Sequence, residues 1–286
     1  MKTSDVAGQL TLKNILYATD LSAAAERALP YALEIARRYG ATVYATHVIQ
    51  PDVYPLVPPT AWPQMAEQEE VFRKESRKGL EEQLHAVPHE IIFEQGKVWH
   101  TLSEIIEEKC IDLLVFSTHG RTGLDRVLFG SVAEEILRKA SCPVLAVGPA
   151  VTDRPKQRAE LNRILYATDF SAESLAAVPY TVSLAQEHSA RLILLHSIET
   201  KDDAPSILYT LRQLVPFGTD LKCEPECVVE HGAPATKILE VAEMRAADLI
   251  VLGVHRNKGP LQKHLMRSGV LRIVSQAKCP VLIVRG

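Results

Sequence analysis

The sequence lacks every compositional bias that marks a non-globular protein. Only 14 of 286 residues are glycine, aromatic residues make up 6%, and hydrophobic and charged residues stand at 47% and 23%. These values exclude disorder, collagen and coiled coil. Neither sign of charge predominates, because 32 basic residues face 35 acidic ones for a net charge of -3. The composition therefore indicates neither nucleic acid nor an anionic membrane as a partner.

Long hydrophobic runs are also missing. No stretch approaches the roughly 18 consecutive apolar residues that cross a bilayer, and the first eight residues have no apolar core of a signal peptide. We therefore expect a cytoplasmic protein. The chain has five cysteines, an odd number that suits a reducing compartment. Cys110, Cys142 and Cys279 stand in or beside apolar runs, which predicts that they are buried.

What the sequence does contain is an internal duplication. The segment ILYATDLSA from Ile15 to Ala23 recurs 149 positions later as ILYATDFSA, from Ile164 to Ala172. Further along, the offset between matching residues falls to 136 and then rises to 137, so the second half has lost 13 residues around positions 49 to 90. A chain of this length also suits two average domains. We predict a first domain over 1–149, a linker over 150–159 and a second domain over 160–286.

Each half alternates short apolar runs with amphipathic segments. Strands are predicted over Asn14 to Ala18, Thr42 to Val48, Glu90 to Phe93, Asp112 to Ser117, Pro143 to Val147, Arg163 to Ala167, Leu192 to Ser197, Cys227 to Val229, Leu249 to Val254 and Val281 to Val284. First-half helices are predicted over Ser22 to Tyr39, Met65 to His85, Thr101 to Lys109 and Ser131 to Ala140, with a solvated charged face on the second helix and a surface loop for the prolines of 51–63. Because the strands are apolar without alternation, they are buried on both faces. The fold class is α/β, with two tandem doubly wound domains, each a five-stranded parallel sheet with helices on both faces.

In such sheets a ligand binds beyond the carboxyl ends of the strands, where the strand order reverses. Ala18-Thr19-Asp20 follows the first strand, and the segment from Ser117 to Ser131 follows the fourth. Asp20 is either an acid that stabilises the next helix or an acceptor for an adenine amine or ribose hydroxyl. The second segment contains Gly120, and its Gly130-Ser131 opens a helix whose free N–H groups suit a phosphate. Ser131 is also a candidate N-cap, although a Gly-Ser start is ordinary for helices of this fold.

These motifs together resemble the universal stress protein family. The resemblance rests on the opening ILYATDxS, on Gly120 followed after nine residues by Gly130-Ser131, and on the closing CPVL strand, and it covers about residues 10 to 149 and 160 to 286. It implies an adenine nucleotide alpha hydrolase-like fold that binds ATP. By the same resemblance the nucleotide-binding residues are Ala18, Thr19 and Asp20 at the adenosine, Val43 at the adenine, and Gly120, Gly130, Ser131 and Val132 at ribose and phosphates. Ser117, which replaces the first glycine of the pattern, and His119 belong to the same segment, and the position of Arg121 places it near the phosphates.

The second half departs from this pattern. It keeps a second candidate set, which comprises Ala167, Thr168, Asp169, Leu192, Gly253 and Ser268. However, Arg256 and Arg267 replace two of the glycines, and an arginine side chain takes space that a phosphate needs. We expect the second domain to bind nucleotide weakly, to bind something different, or to serve as a structural partner.

The expected function is a stress-response regulator that binds ATP or a related adenine nucleotide, mainly in the first domain. ATP with Mg²⁺ or Mn²⁺ is the expected ligand, and AMP and ADP stay open. A non-nucleotide-binding scaffold and a weak ATPase are the alternatives. The sequence has no P-loop lysine motif, so at most slow ATP hydrolysis is expected, without assigned catalytic residues. A phosphoacceptor domain would need an acidic cluster and a lysine after the last strand, which are absent.

Two further expectations concern metals and partners. Cys223 and Cys227, with His231 nearby, have metal-like spacing, but a zinc site needs about four ligands, so no metal site is predicted. Single-domain members of the resembled family commonly dimerise, and two fused copies imply an intramolecular pseudo-dimer paired through the final strands. A further homodimer and an unidentified protein partner stay open.

Overall fold

The computed structural model describes residues 10–50, 62–118, 130–151, 159–198, 204–254 and 262–286. The chain divides into two compact units, which consist mainly of residues 12–149 and 160–286. Among the described helices, none combines the length and apolar character that crossing a bilayer requires.

The first unit is a parallel sheet with the strand order β3-β2-β1-β4-β5. Its strands are β1 (Asn14–Ala18), β2 (Thr42–Ile49), β3 (His89–Gln95), β4 (Leu113–Ser117) and β5 (Val144–Val147). Its helices are α1 (Ala23–Glu26), α2 (Leu29–Tyr39), α3 (Trp62–Leu84), α4 (Val98–Glu108) and α5 (Ser131–Lys139).

The second unit repeats this parallel topology with the order β10-β9-β6-β7-β8. Its strands are β6 (Arg163–Ala167), β7 (Arg191–Ile198), β8 (Glu226–His231), β9 (Leu249–Val254) and β10 (Val281–Arg285). Its helices are α6 (Ala172–Leu175), α7 (Val178–Glu187), α8 (Ala204–Gln213), α9 (Pro234–Met244) and α10 (Gln262–Gln276).

The predicted fold class is confirmed, and so are the ten strands, whose ends lie within about two residues of the predicted ones. The reason is the one that the sequence indicated: β1 and β4 carry apolar residues at consecutive positions, and Leu16, Leu114 and Val115 are all fully buried. A sheet covered on both faces buries its side chains in both directions. The 13 lost residues are also explained, because α8 has 10 residues where α3 has 23.

Two local predictions are wrong, both at prolines. The single helix predicted over Ser22 to Tyr39 is broken between α1 and α2, because Pro30 in the first turn of α2 has no N–H to continue the preceding helix. The loop predicted for 51–63 extends too far, because α3 begins at Trp62 and includes Pro63. Proline is tolerated in a first helical turn, where its missing N–H has no intrahelical acceptor. Residues 51–61 lie outside the described part of the chain.

One carboxylate in each unit joins two strands at the amino edge of the sheet. Asp112 Oδ2 accepts hydrogen bonds from the backbone N–H groups of Lys13 and Asn14, at 2.7 and 2.9 Å. Asp248 Oδ2 repeats the arrangement at the start of β6, at 3.1 and 3.0 Å. These acids lie at the opposite edge of the sheet from the candidate site and are structural.

Candidate functional site

The carboxyl end of β1 leads into a tightly fixed turn. The Thr19 N–H donates to the Thr46 carbonyl oxygen at 3.0 Å, and the Thr19 hydroxyl oxygen accepts from the Leu21 N–H at 3.0 Å. Asp20 Oδ1 accepts from the Ser22 N–H, also at 3.0 Å. Leu21 has a φ of 63°, an unusual value for a leucine that the surrounding bonds hold in place. The turn therefore presents the half-buried Asp20 in one orientation.

Helix α1 follows this turn and is hydrogen-bonded to a residue of β1. Ser22 is its N-cap, and the Ser22 hydroxyl accepts from the Ala25 N–H at 3.2 Å. The Tyr17 hydroxyl donates to the Ala25 carbonyl oxygen at 3.1 Å, and burial raises the pKa of Tyr17. Tyr17 is a core residue that anchors α1, as Tyr166 is in the second unit, where its hydroxyl donates to the Ser174 carbonyl oxygen at 2.8 Å.

The carboxyl end of β4 lies beside the start of α5. The Thr118 N–H donates to the Val147 carbonyl oxygen at 3.0 Å, and the Ser117 hydroxyl donates to the same oxygen at 3.4 Å. A β-carbon built on Gly130 would lie 3.9 Å from the Thr118 carbonyl oxygen, so Gly130 lies next to the end of β4. Gly130, not Ser131, is the N-cap, and no side chain caps the helix. The exposed Ser131 is the first residue of α5, whose first N–H groups have no intrahelical acceptor.

The structure brings most of the described candidates to one edge. Strand order reverses between β1 and β4, and Ala18 lies opposite Phe116 in the register of these strands. The turn with Thr19 and Asp20 therefore shares an edge with Ser117 and with the start of α5, where Gly130, Ser131 and Val132 lie. His119, Gly120 and Arg121 lie outside the described residues.

Val43 is not brought to this edge. It is fully buried and pairs with Ile15 near the amino end of β2. Thr46, the residue of β2 that bonds the Thr19 N–H, lies three residues further on, about 10 Å along the strand. Leu192 has the same position in the second unit, opposite Ile164 and 2% exposed. Neither side chain can line a crevice at the carboxyl edge of its sheet.

His47, four residues after Val43 on β2, does lie at this edge. Its Nδ1 lies 2.9 Å from the Thr19 carbonyl oxygen, and because a carbonyl oxygen only accepts, Nδ1 carries the proton. The sequence signal for this residue is its recurrence as His196, 149 positions later, a position where a histidine can either contact a ligand or cap the strand end. His196 repeats the contact, with Nδ1 2.7 Å from the Thr168 carbonyl oxygen.

The second unit keeps the turn and its hydrogen bonds. The Thr168 hydroxyl oxygen accepts from the Phe170 N–H at 3.0 Å and from the Ser174 hydroxyl at 2.9 Å. Asp169 Oδ1 accepts from both the N–H and the hydroxyl of Ser171, at 2.9 and 2.6 Å. Burial raises the pKa of Tyr166 beneath it. Ala167 ends β6, so Ala167, Thr168 and Asp169 repeat the first-unit arrangement.

Gly253 is explained by packing. A β-carbon at this position would lie 2.5 Å from the backbone oxygens of Glu173 and Ser174, so the end of β9 touches the backbone of α6 directly. Gly286 approaches Glu173 in the same way, with 3.1 Å between its β-carbon position and the Glu173 oxygen. Arg256 and the side chains of Arg267 and Ser268 lie outside the described residues.

The arrangement of the cysteines bears on the metal-like spacing of Cys223 and Cys227. The described residues, which include all five cysteines, contain no group of three or more His, Cys, Asp or Glu side chains able to hold a metal ion. Cys223, Cys227 and His231 therefore do not converge. No disulfide joins the cysteines. Cys142 and Cys279 are buried as predicted, but the prediction for Cys110 is wrong, because it follows α4 in a turn with a φ of 48° and is exposed.

Fold and site together define a class, a duplicated parallel α/β protein whose strand order reverses once in each unit. The model of the universal stress protein family matches the chain twice, over residues 11–148 and 160–285, and the chain belongs to this family.

Relatives agree with this assignment. Universal stress protein A homolog 1 of Coxiella burnetii is 38% identical over 141 residues, which cover 47% of this chain and 95% of that protein. A universal stress protein of Mycolicibacterium smegmatis is 28% identical over 294 residues, covering 95% of this chain and 96% of that one. The crystal structure of a universal stress protein from Archaeoglobus fulgidus has the same fold, with a TM-score of 0.74 at 23% identity, covering 96% of this chain and 97% of that chain.

Proposed function

We propose that the first unit binds ATP or a related adenine nucleotide at the edge between β1 and β4, and that the chain acts as a stress-response regulator in the cytoplasm. The observation that carries the proposal is the convergence of the Thr19-Asp20 turn with the start of α5 at the switch point of strand order. Doubly wound sheets bind their ligands at this place.

The described residues suit the two ends of a nucleotide. Asp20 provides a carboxylate in a fixed turn, which can accept hydrogen bonds from ribose hydroxyls or from the adenine amine. Gly130 and Ser131 are exposed at the start of α5, where the helix N–H groups and the Ser131 hydroxyl suit an anion such as a phosphate. In this proposal Mg²⁺ or Mn²⁺ accompanies the phosphates of ATP, and His119, Gly120 and Arg121 complete the phosphate end.

We also propose that the two units differ, with the first as the principal site. The close approach of α6 to the end of β9 at Gly253 supports this, because the α6 backbone takes up space beside the edge that corresponds to the Thr19-Asp20 edge of the first unit. Ser117 and Pro149 hold the places of Gly253 and Gly286 in the first unit. Both carry a β-carbon, so α1 cannot approach the sheet edge as closely as α6 does. The arginines at 256 and 267 support the same difference independently.

Isothermal titration of ATP with Mg²⁺ into the full chain tests both proposals. We expect one site per chain, and we expect Gly130→Arg, which copies Arg267 into the first unit, to weaken binding more than tenfold. Gly79→Arg is the matched control, because nothing lies within 4 Å of the β-carbon position on that part of α3, and it should bind like the wild type. Two sites per chain would contradict the asymmetry. No binding by the folded protein would overturn the nucleotide proposal and favour a scaffold.

A further inference from the structure

His47 fixes the turn of the candidate site from the neighbouring strand. The Thr19 N–H donates to the Thr46 carbonyl oxygen at 3.0 Å, and the Thr19 carbonyl oxygen accepts from His47 Nδ1 at 2.9 Å. Consecutive residues of β2 therefore hold the two peptide groups that flank Thr19. Both His47 and Thr19 are buried, at 5% and 8% exposure. A buried carbonyl that loses its donor is costly, so the position of Asp20, the next residue, depends on this imidazole.

The ring of His47 also contacts helix α3. Its centroid lies 5.9 Å from that of Phe72 on α3 and 5.9 Å from that of Phe93 on β3, and both pairs are edge-to-face. The Arg77 guanidinium, five residues after Phe72 on α3, lies 5.6 Å from the centroid of Phe93. His47 therefore contacts both the Thr19 carbonyl group and α3.

In the second unit, the histidine makes the same hydrogen bond, but its ring packs against a different residue. His196 Nδ1 lies 2.7 Å from the Thr168 carbonyl oxygen, but its ring stacks on Phe170, with centroids 4.6 Å apart and planes at 29°. Phe170 belongs to the turn itself, at the position that Leu21 holds in the first unit. In the second unit the histidine thus packs against its own turn, whereas in the first unit it packs against α3.

We propose that His47 is a positioning residue for the Thr19-Asp20 turn and that its ring couples the occupancy of this site to α3. The proposal rests on nucleotide binding by the first unit. Helix α3 suits the role of an output surface, because Glu67, Glu70, Lys74 and Lys78 are exposed along it, as predicted for its solvated face. A shift of Thr19 on ligand binding moves the imidazole, and the imidazole moves Phe72.

Two substitutions separate the two roles of His47. His47→Asn keeps an N–H donor close to the position of Nδ1 but removes the ring, whereas His47→Phe keeps a ring and removes the donor. We expect His47→Phe to weaken ATP binding about tenfold and His47→Asn to bind within about threefold of the wild type. His196→Phe is the matched control in the second unit and should leave ATP binding unchanged. Thermal unfolding of each variant checks that it is folded.

Amide hydrogen exchange measures the coupling. In the wild type, ATP should slow exchange in α3 around Phe72, and in His47→Asn this response should disappear although ATP still binds. An unchanged α3 response in His47→Asn, or wild-type affinity in His47→Phe, would overturn the proposal.

The same method distinguishes this proposal from the proposed function. If the wild type binds no ATP, the proposed function and the coupling both fail. The positioning role is then decided in the protein without nucleotide. It predicts faster exchange of the Leu21 and Ser22 amides in His47→Phe than in the wild type or His47→Asn. Equal exchange in all three proteins would overturn the positioning role.

Discussion

Gly253 at the end of β9 and Ser174 on α6 are in direct backbone contact, with only 2.5 Å between the Gly253 β-carbon position and the Ser174 oxygen. In the first unit, Ser117 corresponds to Gly253 and Ala25 to Ser174. Because Ser117 carries a side chain, the contact cannot form there. The backbone approach at Gly253 is therefore specific to a residue without a β-carbon.

The contact predicts an asymmetric response to exchanging these residues. Gly253→Ser should lower the free energy of unfolding by about 2 kcal/mol, because the new side chain must displace the α6 backbone. Ser117→Gly should cost less, about 0.5–1 kcal/mol, the usual effect of glycine in a strand. Urea unfolding of both variants checks this. Equal effects of the two substitutions would show that the close approach of α6 to Gly253 does not constrain this position.

Asp20→Asn tests the proposed acceptor without removing the turn, since an asparagine oxygen can still accept from the Ser22 N–H. The variant loses only the charge that strengthens hydrogen bonds from ribose or adenine. We expect ATP to bind about tenfold more weakly, with the unfolding temperature within about 2 °C of the wild type. Asp169→Asn is the control in the second unit and should bind ATP normally. An effect of Asp169→Asn as large as that of Asp20→Asn would contradict a principal site in the first unit.

The carboxylates at the amino edges of the two sheets should be of similar structural importance. Asp112→Ala and Asp248→Ala each remove an acceptor shared by two backbone N–H groups. We expect each variant to lose about 2 kcal/mol of unfolding free energy. Asp220→Ala, on an exposed residue, should change it by less than about 0.5 kcal/mol. A loss as small as that of the control in either variant would rule out this structural role.

The contact between His89 and Glu81 predicts a stability that depends on pH. The Glu81 carboxylate 2.8 Å from His89 Nε2 raises the pKa of His89, so protonated His89 is stabilised in the folded state. The contribution is complete below the unfolded pKa of about 6.5 and is lost as the pH rises through the higher folded pKa. Since Glu81 is half exposed, we expect less than about 1 kcal/mol.

Urea unfolding of Glu81→Gln between pH 5.5 and 8.5 measures this contribution. The wild type should exceed the variant in stability at pH 5.5, and the difference should disappear by pH 8.5. Glu82→Gln, with a neighbouring exposed carboxylate, should show no such pH-dependent difference. A constant difference across the range for Glu81→Gln would contradict the assigned cause.

The sequence predicts more of this fold than of its site. Apolar strands and a repeated motif determine the topology, because burial on both faces and the duplication are visible in the residues themselves. The candidate Val43 came from a family role carried over along the sequence, and the structure buries it near the amino end of β2. Val43 is the second residue of the predicted strand, so the direction of the chain alone places it at the amino edge.

Other features depend on tertiary packing. The contact of Gly253 with α6 and the contact of His47 with Phe72 each join residues that are distant in sequence, and no local pattern encodes either distance. Cys110 comes just before the apolar strand β4, but it follows Glu107-Glu108-Lys109 in a turn that leaves it exposed. The apolar residues near Cys110 in the sequence therefore gave a wrong prediction of its burial.

In the proposed function, the nucleotide binds in the first unit, between the Thr19-Asp20 turn and the start of α5. Backbone amide NMR shifts of the full chain during titration with ATP and Mg²⁺ test it most directly. The proposal predicts saturable shifts at Thr19, Asp20 and Ser131 and much smaller ones at Thr168 and Asp169. Shifts of equal size in both units, or none at Thr19, Asp20 and Ser131 while ATP binds, would contradict it.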